Sequence, residues 1–222
     1  MKAMILAAGR GERMRPLTDT LPKPLLEVQN KALIVYHIEK LASLGFEEVV
    51  VNIAHLGEKI VIALGDGSKW GIKVTYSDER EEGALESAGG IIKALSLLGD
   101  ETFLVLNGDV FTDYPFNPNF KLENSLAHLV LVPNPQHNLK GDFGLKNSLV
   151  LNKDELQYTF SGIGYYNPAL FKKFATQKLA LAPLLREKIE QKSISGELFH
   201  GEWRDIGTPT RLEEINRILN EN

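Results

Sequence analysis

The chain contains no cysteine. That excludes a disulfide framework, a thiolate metal site and a cysteine nucleophile. No apolar run approaches the roughly 20 residues of a membrane-spanning helix. Met1-Lys2 leads directly into apolar residues, without a signal-peptide hydrophobic region. Positive charge is not in excess either. A net charge of −4 argues against general affinity for nucleic acid or an anionic membrane surface. The five histidines, His37, His55, His128, His137 and His200, form no H-E-x-x-H motif and no close pair, so they read as core or surface residues. Ser87, Ser161 and Ser195 lack a G-x-S-x-G setting, which leaves a serine nucleophile unsupported. These absences point to a soluble cytoplasmic protein acting on small molecules. A monomer or small homo-oligomer is expected, with no sequence feature that selects between them.

What is present is an ordinary globular balance, 43% hydrophobic and 24% charged over 222 residues. No linker, repeat or low-complexity segment interrupts it, so residues 1–222 read as one domain. Apolar strand-like runs at 3–6, 48–53, 72–76 and 102–106 alternate with helical spacing at 34–44, 57–64 and 87–98. Ser87 reads as the N-cap of the third helix, and Gly45 and Gly99 as helix stops. This alternation predicts an α/β, Rossmann-like, mainly parallel mixed sheet with helices on both faces. Beyond residue 126 short strand-like segments dominate. Helices resume at 168–174 and 183–189, and Thr208-Pro209 caps a last one.

The most informative stretch follows the first strand: Ala7-Ala8-Gly9-Arg10-Gly11-Glu12-Arg13-Met14-Arg15-Pro16-Leu17-Thr18, continued by Pro22-Lys23-Pro24. Two glycines one residue apart let the backbone turn sharply and bring its N–H groups near a ligand. Such amides cradle phosphate oxygens, and Arg13, Arg15 and Lys23 add full positive charge. Prolines on both sides of Lys23 stiffen the segment that presents its ammonium. Neither common phosphate fingerprint applies. The dinucleotide motif needs glycine where Met14 stands, and a P-loop needs Gly-Lys-Ser/Thr after four spacers.

Asn107-Gly108-Asp109 ends a predicted strand, where ligands bind in open α/β sheets. An aspartate there suits Mg²⁺, which takes oxygen ligands and keeps several waters. The alternative is structural, since Asn-Gly is the strongest short hairpin signal. Trp203-Arg204-Asp205-Ile206-Gly207-Thr208-Pro209 offers a second carboxylate, or merely a strand end and a capped helix. The acidic run at 78–82 reads as a solvated face.

The loop Ala-Ala-Gly-x-Gly-x-Arg-Met-x-Pro-Leu-Thr with Pro-Lys-Pro, the Asn107-Gly108-Asp109 tripeptide and the Trp203-to-Pro209 phrase together resemble the sugar-phosphate nucleotidyltransferases. The resemblance implies a reaction between a nucleoside triphosphate and a sugar 1-phosphate. It places Ala8, Gly9, Gly11, Glu12, Arg13 and Lys23 on the triphosphate, and Glu79, Ala84, Leu85 and Gly89 around the base. Asn107, Gly141, Asp142 and Ser161 would face the sugar phosphate, and Asp109 with Asp205 would hold Mg²⁺. Arg13, Lys23 and Asp109 would carry catalysis.

Many relatives read Leu-Gly-Thr-Ala-Gly where this chain reads Leu85-Glu86-Ser87-Ala88-Gly89. Glu86 in place of glycine resembles a bacterial subgroup, the N-acetylmuramate-1-phosphate uridylyltransferases of cell-wall recycling. The Glu-Lys-Pro sugar motif of many relatives is absent between Gly141 and Tyr165. Three alternatives stand beside this expectation. One is a mannose-1-phosphate guanylyltransferase or another hexose-1-phosphate enzyme. Another is a non-catalytic relative that binds nucleotide sugar, and the third is a nicotinamide-dependent oxidoreductase.

Overall fold

The computed structural model describes residues 1–221. A nine-stranded sheet is assembled from β1 (Lys2–Leu6), β4 (Glu48–Ile53), β5 (Lys73–Asp78), β6 (Phe103–Asn107), β8 (Ala127–Val132), β9 (Phe143–Lys146), β10 (Leu149–Leu151), β11 (Gln157–Tyr166) and β12 (Ile194–Leu198). Two short ribbons stand apart from it. One joins β2 (Glu27–Val28) to β3 (Lys31–Ala32), the other β7 (Val110–Thr112) to β13 (Trp203–Asp205). The helices are α1 (Leu33–Ser43), α2 (Gly57–Leu64), α3 (Glu86–Leu98), α4 (Leu181–Glu190) and α5 (Pro209–Asn220).

The strand order is β5-β4-β1-β6-β11-β8-β12-β10-β9. The four strands from β5 to β6 are parallel, whereas β11 runs antiparallel to both β6 and β8. The sheet is therefore mixed, with its parallel half built from the N-terminal βα units. Period-two burial explains the layering. Ala3 and Ile5 pack with α1 and α2 on one face, while Met4 points to the other face, against α3 and α4. Each fully buried Val, Leu or Ile contributes roughly 1.5–3 kcal/mol, so the two faces hold the sheet between helices.

A third, smaller cluster matters most for function. Met14, Leu26, Val28 and Leu33 pack against Ile206 and Ile215, which ties the glycine-bearing loop to α5. Thr208 caps α5 through its side chain, and Pro209 occupies the first turn, as the sequence predicts. Two predicted details differ. The helix α3 begins at Glu86 with Leu85 at the cap and no side-chain capping bond, so Ser87 lies inside its first turn. The predicted helix at 168–174 is only a 3₁₀ turn, Pro168–Leu170, with Asn167 at its cap. The residues that follow form hydrogen-bonded turns, with the Lys172 N–H on the Pro168 carbonyl and the Phe174 N–H on the Phe171 carbonyl.

His37 is the polar residue on the buried face of α1, 3% exposed, with Nε2 unpartnered among the described residues. Burial pushes its pKa down to about 4, and a hydrogen bond to the Val110 backbone only partly offsets this. A histidine held neutral in the fold but free to protonate when unfolded leaves stability intact above about pH 6.5. That stability drains as pH falls toward about 4, by roughly 3 kcal/mol in all. Thermal unfolding of the parent is expected to lose more stability between pH 7 and 5 than His37→Leu does. Equal losses in the two proteins would assign the slope to another group.

Candidate active site

β1 and β6 end side by side, and the chain leaves both at a cavity of about 360 Å³. Its wall carries Ala8, Gly9, Gly11, Glu12, Arg13 and Lys23 from the first loop, with Glu79 and Ala84 on the opposite side. Asn107 and Asp109 close the third side.

Local geometry explains the loop's composition. A Cβ on Gly9 would meet nothing within 4 Å, so its backbone faces open space. Gly11 has φ +69, and a Cβ there would stand 3.0 Å from Thr18 Cγ2 and 3.3 Å from Lys23 Cβ. Only glycine takes that turn cheaply. The Gly11 carbonyl accepts from Thr18 Oγ1 at 2.9 Å, which closes the loop on itself. A 3₁₀ turn, Glu12–Met14, buries Met14 as an anchor and leaves the Glu12 and Arg13 side chains toward solvent. A second 3₁₀ turn, Lys23–Leu25, presents Lys23 behind the stiff Pro22.

Lys23 Nζ donates to Asp109 Oδ2 at 2.5 Å, with the lysine side chain 12% and the aspartate 26% exposed. The hairpin alternative for Asn107-Gly108 does not hold. β7 pairs with β13 and not with β6, and Gly108 instead donates its N–H to the Leu6 carbonyl at 3.0 Å. A Cβ there would press to 3.0 Å from that same oxygen, so the residue keeps β6 and β1 close at the cavity floor.

The β7–β13 ribbon brings the two aspartate segments together. Asp205 opposes Val110, and the Asp109 carbonyl accepts the Ile206 N–H at 2.7 Å. Their carboxylates are differently engaged. Asp205 Oδ1 accepts from Arg211 and lies 3.0 Å from His137 Nε2, in a neighbouring cavity with Trp203 and Arg204. Gly207 lines the first cavity, and a Cβ on it would stand 3.1 Å from Asp205 Oδ2, 3.2 Å from Arg211 Nη1 and 3.4 Å from Arg13 Nη2. Asp205 itself lines the neighbouring cavity and not the one that holds Asp109.

The nucleotidyl transferase family profile matches residues 2–148 of this chain. The chain belongs to the nucleotidyl transferase family. An N-acetylmuramate alpha-1-phosphate uridylyltransferase from Neisseria meningitidis is 51% identical over 98% of both chains. A UTP–glucose-1-phosphate uridylyltransferase from Synechocystis is 38% identical over 99% of this chain and 63% of its own length. The same fold occurs in a Bacillus anthracis protein assigned as a glucose-1-phosphate thymidylyltransferase. That structure has a TM-score of 0.85 and 22% identity, over 100% of this chain and 96% of that one.

Several predicted site residues of this nucleotidyltransferase do not line this cavity or are engaged within the protein. Leu85 is buried, with its N–H on Glu79 Oε2 and its carbonyl accepting from Leu179, so it anchors the turn. Gly89 is a packing residue, where a Cβ would collide with the Gln177 carbonyl at 2.2 Å. Glu79 lies in the cavity wall, but both its carboxylate oxygens are spent on Asn52 and Leu85. Gly141 and Asp142 line a separate depression beside Gln157 and Arg186. Asp142 Oδ2 instead accepts from Asn138 and from the Phe160 N–H. Ser161 is 1% exposed, and its hydroxyl bridges Val130 and Ile163 across the bulge in β11, leaving nothing for a ligand. Of the predicted sugar-side residues only Asn107 reaches the cavity, backed by Gly162, where a Cβ would meet Asn107 Nδ2 at 2.5 Å.

Residues not singled out as ligand contacts also line the cavity: Asn52, Glu86, Ser87 and Gly207. Asn52 has a sequence signal, being the one amide within the apolar run of β4. Glu86 has a stronger one. Its φ of +62 lies in the left-handed region, which costs a non-glycine residue about 1–2 kcal/mol. Strain of this kind persists where the surroundings over-determine the backbone, and here it aims α3 at the cavity.

Proposed function

We propose that this nucleotidyltransferase joins UTP to N-acetylmuramic acid 1-phosphate, forming the UDP-sugar and pyrophosphate. The observation that carries this reading is 51% identity over 98% of both chains to a protein of that activity. Glu86, where many relatives carry glycine, supports it. The reading places the enzyme in the cytoplasm and in cell-wall recycling.

The second pKa of a phosphomonoester is about 6, so the sugar phosphate is largely dianionic at neutral pH and needs no general base. Its oxygen attacks the α-phosphorus of UTP, and the bond from that phosphorus to the β-bridging oxygen breaks. The barrier lies in bringing polyanions together and in charge at the α-phosphorus, which calls for positioning and cations. Gly9 and Gly11 amides with Arg13 hold the triphosphate. Lys23 stands where the two phosphates meet, and Asn107 faces the sugar.

Among the described residues no group of three or more His, Asp or Glu is arranged to hold a metal. Mg²⁺ in nucleotide sites needs only one or two carboxylates, completed by phosphates and water, so Asp109 on the cavity wall fits it. Asp205, in the adjoining cavity and paired with Arg211, would be the second ligand. Bound there, Mg²⁺ would neutralise phosphate charge.

The test is turnover with UTP, GTP, CTP and dTTP, each against muramic, glucosamine-type, glucose and mannose 1-phosphates. UTP with the muramic substrate is expected to give the highest kcat/KM, and chelation of Mg²⁺ to abolish it. A pocket hydrogen-bonded to uracil rejects guanine strongly, because a misplaced purine leaves buried polar groups unpaired. Preference for GTP with mannose 1-phosphate would overturn the substrate pair and leave nucleotidyl transfer standing.

A further inference from the structure

Few polar side chains are buried in this chain, and two of them, Asn52 and Glu79, meet at the wall of the phosphate cavity. Asn52 is 3% exposed near the end of β4, and Glu79, directly after β5, is fully buried. Asn52 Oδ1 accepts the Ala7 N–H at 2.7 Å, and its Nδ2 donates to Glu79 Oε1 at 2.7 Å. Glu79 Oε2 then accepts the Leu85 N–H at 2.8 Å. These bonds form one relay across the carboxyl ends of β1, β4 and β5. It starts at the first residue of the phosphate loop and ends at the turn that enters α3.

The helix is shaped to admit the relay. A Cβ on Gly90 would stand 2.7 Å from Glu79 Oε1 and 2.8 Å from Asn52 Nδ2, so only glycine lets α3 lie against the pair. Burying a carboxylate and an amide is costly, and well-packed apolar residues serve stability as well or better. The pair sits where two ligand-facing loops meet, which a role in stability alone does not explain. Its far end also bears on Glu86. Leu85 is pinned by Glu79 at its N–H and by Leu179 at its carbonyl, and the next residue is the left-handed Glu86.

We propose that Asn52 and Glu79 are positioning residues that lock the base-side turn to the phosphate loop. A nucleoside triphosphate then meets both in one preformed register. This rests on the reading of the cavity as a nucleotide site. Neither residue touches the reacting phosphates, and each acts through backbone N–H groups.

The relay predicts an exchange experiment. Asn52→Asp alone sets two carboxylates against each other. Glu79→Gln alone has one acceptor where the relay needs two, so either Asn52 or Leu85 meets a donor. Together, Asn52→Asp with Glu79→Gln restores every donor–acceptor match. The new carboxylate accepts Ala7 N–H and the new amide's N–H, and the new amide's oxygen accepts Leu85 N–H.

Each single variant is expected to raise KM for UTP by about tenfold or more, the range set by a lost hydrogen bond to a charged group. The KM for the sugar phosphate should stay within about twofold in the same variants. The double variant is expected to return to within about threefold of the parent, a non-additivity that independent sites do not give. Amide exchange at Ala7 and Leu85 should be slow in the parent and the double variant and fast in the singles. A double variant no better than the product of the singles, or singles with unchanged KM for UTP, would overturn the proposal. If the parent turned over no triphosphate, the nucleotide reading would fail, while amide exchange would still decide the relay.

Discussion

Asp109→Asn is expected to lower kcat by about 10³-fold or more while the melting temperature stays within a few degrees of the parent. The loss is argued from charge. Asp109 stands on the cavity wall immediately after β6, and its carboxylate is the anionic partner of Lys23. Asparagine keeps an oxygen that still accepts from Lys23 Nζ, so the local hydrogen bond survives. What disappears is the negative charge that would hold Mg²⁺ beside the phosphates, and stabilising charge in a phosphoryl transition state is where such sites gain most. Folding should feel little. The Asp109 side chain is 26% exposed and asparagine keeps the acceptor for Lys23, so no buried group is left unpartnered. Steady-state turnover with saturating Mg²⁺, alongside thermal unfolding, checks both halves. A variant that keeps a tenth of parental kcat would remove Asp109 from the metal site.

Asp205 extends the same argument. Arg211 and His137 both contact its Oδ1, in the cavity beside the one that holds Asp109. The arrangement fixes the orientation of the carboxylate. The sequence around it places it correctly at the end of a strand, before a capped helix. It carries no signal for Arg211, six residues on, or for His137, which comes from a distant loop.

That contrast runs through the whole molecule. The parallel half of the sheet was legible because β1, β4 and β6 are short apolar runs bounded by turn residues, and period two then assigns each face. The sharp turn of the glycine-bearing loop was legible because Gly11 takes a left-handed conformation that few residues adopt. Errors arose where tertiary contacts overrode local preference. Ser87 looks like a cap, but Leu85, held by its bond to Glu79, takes the cap position two residues earlier. Ser161 looks available in sequence, yet the bulge in β11 consumes its hydroxyl. Gly89 looks like a ligand-facing glycine and is one that packs against the 177–179 segment. The contacts between Asn52, Ala7 and Glu79 were hardest to read, because Asn52 meets Ala7 across 45 positions and Glu79 across 27, pairings that no local pattern encodes.

Lys23→Ala should lower kcat by about 10²–10³-fold and weaken UTP binding by much less. The side chain is 12% exposed and emerges from a 3₁₀ turn flanked by Pro22 and Pro24, so little conformational entropy remains to be lost when a phosphate arrives. Its resting partner is Asp109, and a phosphate oxygen entering the cavity competes for the same ammonium. On the proposed function, Lys23 would be a preorganised cation whose interaction strengthens as charge grows at the α-phosphorus, raising kcat rather than ground-state affinity. Triphosphate binding retains Arg13 and the loop amides, so the dissociation constant should move by less than about tenfold. Lys23→Arg should not restore full activity, because the planar guanidinium cannot replace a compact ammonium in so enclosed a position. Single-turnover rates and UTP binding by calorimetry separate the two effects. Loss of affinity with an unchanged single-turnover rate would make Lys23 a ground-state binding residue, and its place at the reacting phosphates would then go.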